Sequence, residues 1–169
     1  GIVLSPEDAG VLAAGQTVQF VALTRFNDGS EEPLGGGAVW SWTGPEKAGA
    51  VAEDGLFVAA HGFGTGKVEV TSRDLSATSG TLTVRNPIGL SLEGPEGAVL
   101  AAGDSATFAA VLSYNDGTAE TVTERVTWGW DGDEAAGSVA AGVFTGTEAF
   151  GSGVVTAKLD DWVATSGVL

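Results

Sequence analysis

The sequence predicts an all-β protein built from two tandem β-sandwich domains with Greek-key topology. Short segments alternate apolar and polar residues with a period of two and are separated by glycine-rich turns, as expected for strands that are buried on one face. No apolar period of 3.6 residues persists for ten residues, so helix is expected to be nearly absent. The sequence also repeats itself once, which predicts two similar domains.

The repeat is clearest at a Trp-x-Trp motif. Trp40–Trp42 recurs as Trp128–Trp130, 88 positions later, and Val11–Gly15 recurs unchanged as Val99–Gly103. This period is longer than the roughly 20 to 50 residues of a solenoid unit and matches the length of a small domain.

We therefore predict one domain over residues 1–85, a short linker over 86–88 that contains a proline, and a second domain over 89–169. Leu169 aligns with Leu82, close to the start of the first copy's last strand. The last strand of the second domain is accordingly expected to be truncated, with the natural chain continuing.

One long strand is predicted early in each copy. Thr17–Phe26 and Ala106–Tyr114 each lead into an Asn-Asp-Gly turn, a strong hairpin signal because these residues tolerate positive φ. Phe20 and Phe108 occupy matching positions in these strands and are expected to face inward.

The Trp-x-Trp motif is predicted to lie on a strand, where both indoles point to the same face. Trp40 and Trp128 are predicted to be core residues. The same holds for Phe57 and Phe144, which lie two residues after the glycine of a turn.

The second tryptophan of each motif has three interpretations. Trp42 and Trp130 lie nearer the strand end, where they would plug the core beneath loops, stack on a sugar, or contact a neighbouring domain or subunit. Trp162 follows Asp160-Asp161 in a predicted hairpin turn and is a candidate exposed contact residue.

Composition excludes several function classes. The formal net charge is −15, from 22 acidic and 7 basic residues, which argues against binding nucleic acid and anionic lipid. No apolar run reaches the roughly 18 residues of a membrane span. The chain contains no cysteine, so disulfides contribute nothing to its stability.

The sequence contains no catalytic motif, and the protein is predicted not to be an enzyme and to need no cofactor. Its single histidine, His61, has no histidine or cysteine partners for a metal, and no serine lies in a Gly-x-Ser-x-Gly elbow. Loop carboxylates are weak calcium candidates because calcium prefers hard oxygen ligands. These candidates are Asp131, Asp133, Glu134, Asp160 and Asp161.

The order of these motifs resembles that of bacterial Ig-like domains of group 2. The matching residues are Leu12 and Gly15, Asp28-Gly29, Val126-Thr127-Trp128, Gly55-Leu56-Phe57, Gly64-Thr65-Gly66 and Ala77-Thr78. This resemblance implies an Ig-like sandwich in an extracellular or cell-surface protein, where such domains serve as stalks, spacers or adhesive tips and carry no conserved active site. The second tryptophans, Trp42 and Trp130, depart from the family pattern.

Three functions are consistent with these observations. The leading one is a non-catalytic structural or adhesive segment, a stiff spacer or fibre unit whose partners are other domains of the same larger protein. The second is a carbohydrate-binding or adhesin module that recognises a surface glycan or a protein receptor through exposed aromatics. The third is self-association into a filament or surface layer through edge strands such as Gly1–Leu4.

Overall fold

A computed structural model describes all residues from Gly1 to Leu169. The chain divides into two compact units, Gly1–Asn86 and Pro87–Leu169. Residues 86–88, which the sequence predicts to form a linker, are divided between the two units. Asn86 is buried in the first unit, and Pro87 begins a strand of the second.

The first unit contains twelve short strands and one 3₁₀ turn, Glu46–Ala48. The strands are β1 Ile2–Ser5, β2 Val11–Leu12, β3 Thr17–Gln19, β4 Val21–Arg25, β5 Glu31–Pro33, β6 Val39–Trp42, β7 Gly49–Val51, β8 Leu56–Ala59, β9 Gly64–Gly66, β10 Val68–Ser72, β11 Leu75–Thr78 and β12 Leu82–Val84. They form four three-stranded sheets, in the orders β1-β4-β5, β11-β10-β6, β3-β8-β7 and β2-β12-β9. All pairings are antiparallel except that of β2 with β12, which is parallel.

The second unit contains nine strands. They are β13 Pro87–Glu93, β14 Ser105–Thr107, β15 Ala109–Tyr114, β16 Ala119–Thr121, β17 Thr127–Gly132, β18 Gly137–Ala140, β19 Val143–Gly146, β20 Gly153–Leu159 and β21 Trp162–Thr165. They repeat three of the first unit's sheets, as β13-β15-β16, β17-β20-β21 and β14-β19-β18. The fourth sheet, β2-β12-β9, has no counterpart there.

The cores lie between facing sheets. In the first unit, Ile2, Leu4 and Ala22 from one sheet pack against Val70 from another. Ala110 and Ala157 occupy the corresponding places of the second unit. Face-to-face packing of this kind is the arrangement of a β-sandwich, and the all-β fold class predicted from the sequence is confirmed.

The predicted strand Thr17–Phe26 is two strands rather than one. β3 pairs with β8 and β4 pairs with β1, so the chain changes sheets at Phe20, whose N–H donates to the Gly55 carbonyl at 3.0 Å. The second unit repeats this change at Phe108. No helix in the structure is long and apolar enough to cross a membrane.

Candidate functional site

In the first unit, both tryptophans of the motif face the core from strand β6. Trp40 pairs with Val70 and Trp42 with Val68, and both valines are fully buried. The Trp42 indole packs on Phe57 with ring centroids 4.8 Å apart, and its Nε1–H donates to the Pro45 carbonyl at 3.2 Å. Trp42 therefore has its ring face and its polar atom engaged inside its own unit.

The second unit repeats this arrangement. Trp130 packs on Phe144 at 4.4 Å between ring centroids and donates its Nε1–H to the Asp133 carbonyl at 3.0 Å. Trp128 donates its Nε1–H to the Thr123 carbonyl at 3.1 Å. The motif thus performs the same packing role twice.

Glycines make room for the indoles. A Cβ on Gly66 would lie 2.8 Å from the Trp42 ring, and one on Gly153 would lie 2.7 Å from Trp130. These distances are shorter than real Cβ contacts, so the Gly-x-Gly segments Gly64–Gly66 and Gly151–Gly153 make room for the second tryptophan of each motif. Gly55, at a φ of +84°, makes the same allowance for Trp40.

The phenylalanines that the sequence predicts to be core residues are buried in the structure. Phe20 and Phe57 are fully buried in the first unit, and Phe108 and Phe144 are buried in the second. The core of each unit consists of two clusters of buried hydrophobic residues. The first tryptophans, Trp40 and Trp128, are half-buried, and each packs against both clusters of its unit.

Trp162 differs from its prediction. It is the first residue of β21, pairs with Leu159, and is half-buried against a core cluster that includes Leu112 and Val122. The two-residue turn before it ends at Asp161, so the side chain returns to the sheet and is not presented at the tip of the hairpin.

The acidic loop residues are exposed and are not gathered into one site. No group of three or more His, Cys, Asp or Glu side chains in the structure could hold a metal ion. Asp131, Asp133 and Glu134 lie near the start of β20, whereas Asp160 and Asp161 follow its end. Seven residues of strand separate these groups by about 20 Å, and the Asp133 carboxylate accepts a hydrogen bond from the Ala135 N–H at 2.9 Å.

The Asn-Asp-Gly turns are structural. Asp28 accepts hydrogen bonds from the Ser30 hydroxyl at 2.7 Å and from the Ser30 N–H at 2.9 Å. These bonds stabilise the carboxylate and hold the pKa of Asp28 below its ordinary value of 3.8. His61 is exposed and lies in a bend between strands β8 and β9.

An apolar groove beside Trp130 was not anticipated from the sequence. It encloses about 270 Å³ in the second unit, and its lining includes Val99, Leu100, Phe144, Phe150 and Leu169. Val99 is 98 % exposed and Phe150 is 99 % exposed, compared with 57 % for the matching Val11 and 37 % for Phe63. The alignment of Leu169 with Leu82 was the signal from which the groove could have been inferred.

The chain has similarities in sequence and in structure to known proteins. No protein-family model matches the chain. Its sequence is 30 % identical over 149 residues to Ice-binding protein 1 of Shewanella frigidimarina (strain NCIMB 400). The match covers 86 % of this chain but only 16 % of that protein.

Two solved structures illustrate the structural similarities. Domains 4 and 5 of the S-layer protein SbsC align at a TM-score of 0.48 and 19 % identity, covering 98 % of this chain and 95 % of that one. Drosophila N-cadherin EC1-3 aligns at a TM-score of 0.35 and 9 % identity, covering 97 % and 66 % of the two chains.

Proposed function

We propose that this chain is a non-catalytic structural segment of a bacterial extracellular or cell-surface protein. Its two units are Ig-like domains that resemble group 2 of the bacterial Ig-like domains and act in series as a stiff spacer or as a repeating unit of a fibre. Their partners are the other domains of the same larger protein.

The observation that carries this proposal is the repeated use of the Trp-x-Trp motif for packing. Trp42 and Trp130 stack on Phe57 and Phe144 and donate their indole N–H groups within their own units. The most prominent aromatic residues are thus used for building a core twice over. A spacer needs such autonomous cores, whereas a recognition module needs aromatic faces that remain free.

The relatives support a structural role within something larger. The chain spans 16 % of the ice-binding protein that it matches, so most of that protein lies outside the match. An S-layer protein is among the similar structures. In this proposal, any recognition activity of a parent protein belongs to other domains.

Small-angle X-ray scattering of the full chain tests the spacer function. We expect a maximum dimension close to that of two domains placed end to end, and a longer, more variable particle when a Gly-Ser linker is inserted between Asn86 and Pro87. The same linker inserted at the exposed Gly35–Gly37 loop is the control and should leave the scattering curve nearly unchanged. A compact particle for the unmodified chain contradicts the proposal.

Ice affinity provides a second test, because the relative is named for binding ice. A spacer should enter a slowly growing ice crystal no more than an inert protein of similar size does. Enrichment of this chain in the ice fraction would assign it a recognition function and overturn the proposal.

The two other functions receive less support from the geometry. Trp42, Trp130 and Trp162 are each half-buried against their own cores, which weakens their use as a sugar platform. Self-assembly by exchange of β1 between chains would have to extract Ile2 and Leu4, both buried, from the core, whereas pairing along the free edge of β1 would not. Tryptophan fluorescence titrated with a polysaccharide panel, and sedimentation of the purified chain, test these functions directly.

A further inference from the structure

A second groove lies along the edge of the Trp40 indole in the first unit. It encloses about 320 Å³, and its lining includes Phe20, Ala22, Leu34, Ala38, Glu53 and Asp54. Most of these side chains are apolar, and two carboxylates join them. A concave, largely apolar surface with a few polar groups is the usual form of a ligand site.

In the second unit, Thr123 occupies the matching place. Its carbonyl accepts from the Trp128 Nε1–H at 3.1 Å, and its hydroxyl accepts from the Ala110 N–H at 3.1 Å. Its Cγ2 would lie 3.4 Å from a Cβ on Gly142, the glycine that borders the Trp128 ring. One threonine residue therefore satisfies two donors and fills the space beside the indole.

The first unit carries a glycine at this place. The Leu34 N–H donates to the Ala22 carbonyl at 2.9 Å, and the Val122 N–H donates in the same way to the Ala110 carbonyl at 2.7 Å. The two backbones are therefore in register up to these residues. The next residue of the first unit is Gly35, which offers no hydroxyl to the Ala22 N–H.

Beyond this point the loop of the first unit follows a path of its own. Gly36 and Gly37 have φ angles of +117° and +74°, in the region that favours glycine. In the second unit, the Arg125 N–H closes a turn on the Val122 carbonyl at 2.8 Å, and residues 123–125 have no positive φ. The Trp40 Nε1–H consequently has no acceptor within the protein, and its nitrogen is not enclosed.

We propose that the groove beside Trp40 is a binding site for a threonine residue of an extended peptide segment. The carbonyl of that residue accepts from the Trp40 Nε1–H, and its hydroxyl accepts from the Ala22 N–H, as the two oxygens of Thr123 do in the second unit. Its methyl group packs beside Gly55, which borders the Trp40 ring.

The charge and packing around the groove define its occupant further. Glu53 and Asp54 line the groove and repel acidic or phosphorylated segments, so the segment is neutral or basic. The Trp40 indole keeps its packing against both core clusters, because only its N–H edge takes part in binding. The site therefore adds to a spacer function and does not replace it.

The test is an NMR titration of the nitrogen-15-labelled full chain with N-acetyl-threonine methylamide. This probe carries the two oxygens of a threonine residue in the covalent arrangement of Thr123. N-acetyl-valine methylamide is the matched control, since it has the same shape without the hydroxyl. The chain contains five tryptophans, and the indole resonance that is lost in Trp40→Phe belongs to Trp40.

We expect the threonine probe to move the Trp40 indole N–H resonance with a dissociation constant of about 1–10 mM, as suits so small a ligand. The indole resonances of Trp42, Trp128 and Trp130 should stay in place, because their N–H groups already donate within the protein. The valine probe should bind about tenfold more weakly, since it leaves one donor without an acceptor.

A loop graft provides the second measurement. A chain with Gly35→Thr, Gly36→Glu and Gly37→Arg carries the turn of the second unit and therefore its own threonine. Its Trp40 indole N–H should exchange more slowly with water than that of the unmodified chain, and the threonine probe should no longer move the resonance.

Three results would overturn the proposal. One is equal binding of the threonine and valine probes, and another is a Trp40 resonance that the threonine probe does not move, which would leave the groove to water. The third is a Trp40 indole N–H that exchanges as slowly as that of Trp128 before any probe is added, since the loop would then supply the acceptor itself. Scattering tests the spacer function separately, so either proposal can fail without the other.

Discussion

At the scale of single residues, the second tryptophan of each motif explains why small residues recur around it. Gly44 and Gly66 border Trp42, and Gly132 and Gly153 border Trp130. The indoles lie directly over these backbones, so the space that a methyl group would need is already filled. Some glycines of this chain are therefore needed for packing against an indole, in addition to those needed for turns.

Replacing Gly66 by alanine tests this requirement. The new Cβ would clash with the Gly44 nitrogen and lie 2.8 Å from the Trp42 ring, and a backbone atom cannot move aside as a flexible side chain can. We expect the free energy of unfolding of the first unit to fall by about 1–3 kcal/mol. Urea unfolding followed by tryptophan fluorescence measures this loss.

Gly35→Ala is the matched control, since nothing lies within 4 Å of a Cβ at that exposed position and its φ is not positive. It should change the free energy of unfolding by less than about 0.5 kcal/mol. If Gly66→Ala is as harmless as the control, the close approach of the Trp42 ring is not a determinant of stability.

At the scale of the elements, the sequence predicts which residues face inward better than where strands begin and end. Val18, Phe20 and Ala22 alternate inward without interruption, yet the chain passes from one sheet to another at Phe20. Such a crossing keeps the side-chain period of two intact, so the alternating pattern carries no trace of it. The sequence therefore predicts the inward face of Phe20 and Phe108 but one strand where there are two.

For the tryptophans too, the sequence predicts the direction of the side chain better than its particular contacts. The inward direction of Trp42 follows from its spacing of two from Trp40, whereas its bond to the Pro45 carbonyl depends on the path of a loop that has no pattern. The sequence predicts Trp162 as an exposed contact residue because it follows Asp160-Asp161 in a hairpin turn. The pairing of Leu159 with Trp162 closes the turn in two residues and returns the indole to the sheet.

The tight hairpins provide a prediction of their own. Arg73 opens the two-residue turn between β10 and β11 with a φ of +53°, a conformation that costs a residue other than glycine roughly 1–2 kcal/mol. Arg73→Gly removes this cost but adds flexibility to the unfolded chain, so we expect a net gain of about 0.5–1 kcal/mol. Thermal unfolding should show a higher midpoint for the first unit.

Asp74→Gly in the same turn is the control, because Asp74 does not have a positive φ. It should be neutral or destabilising, since glycine there relieves no strain. A gain of equal size from both substitutions would show that the left-handed conformation of Arg73 is not what limits the stability of this hairpin.

At the scale of the whole molecule, charge is distributed unequally between the units. Residues 1–86 carry ten acidic and five basic side chains, a net charge of −5, and residues 87–169 carry twelve and two, a net charge of −10. Two exposed ion pairs, Arg25 with Glu31 and Arg125 with Glu120, offset little of this excess, because surface pairs contribute at most about 1 kcal/mol each. Repulsion among like charges should therefore weigh more on the second unit.

This inequality predicts a specific response to salt. Raising ionic strength from near zero to about 0.15 M shortens the screening length to about 8 Å and weakens repulsion between exposed carboxylates. We expect the unfolding midpoints of both units to rise, that of the second unit more, with hydrogen exchange of peptides from each unit assigning the transitions. Calcium and magnesium at equal ionic strength should give the same rise, because the acidic side chains form no metal-holding group. A larger rise with calcium would instead indicate a bound ion at the loop carboxylates, and equal rises in both units would show that net charge does not govern their stability.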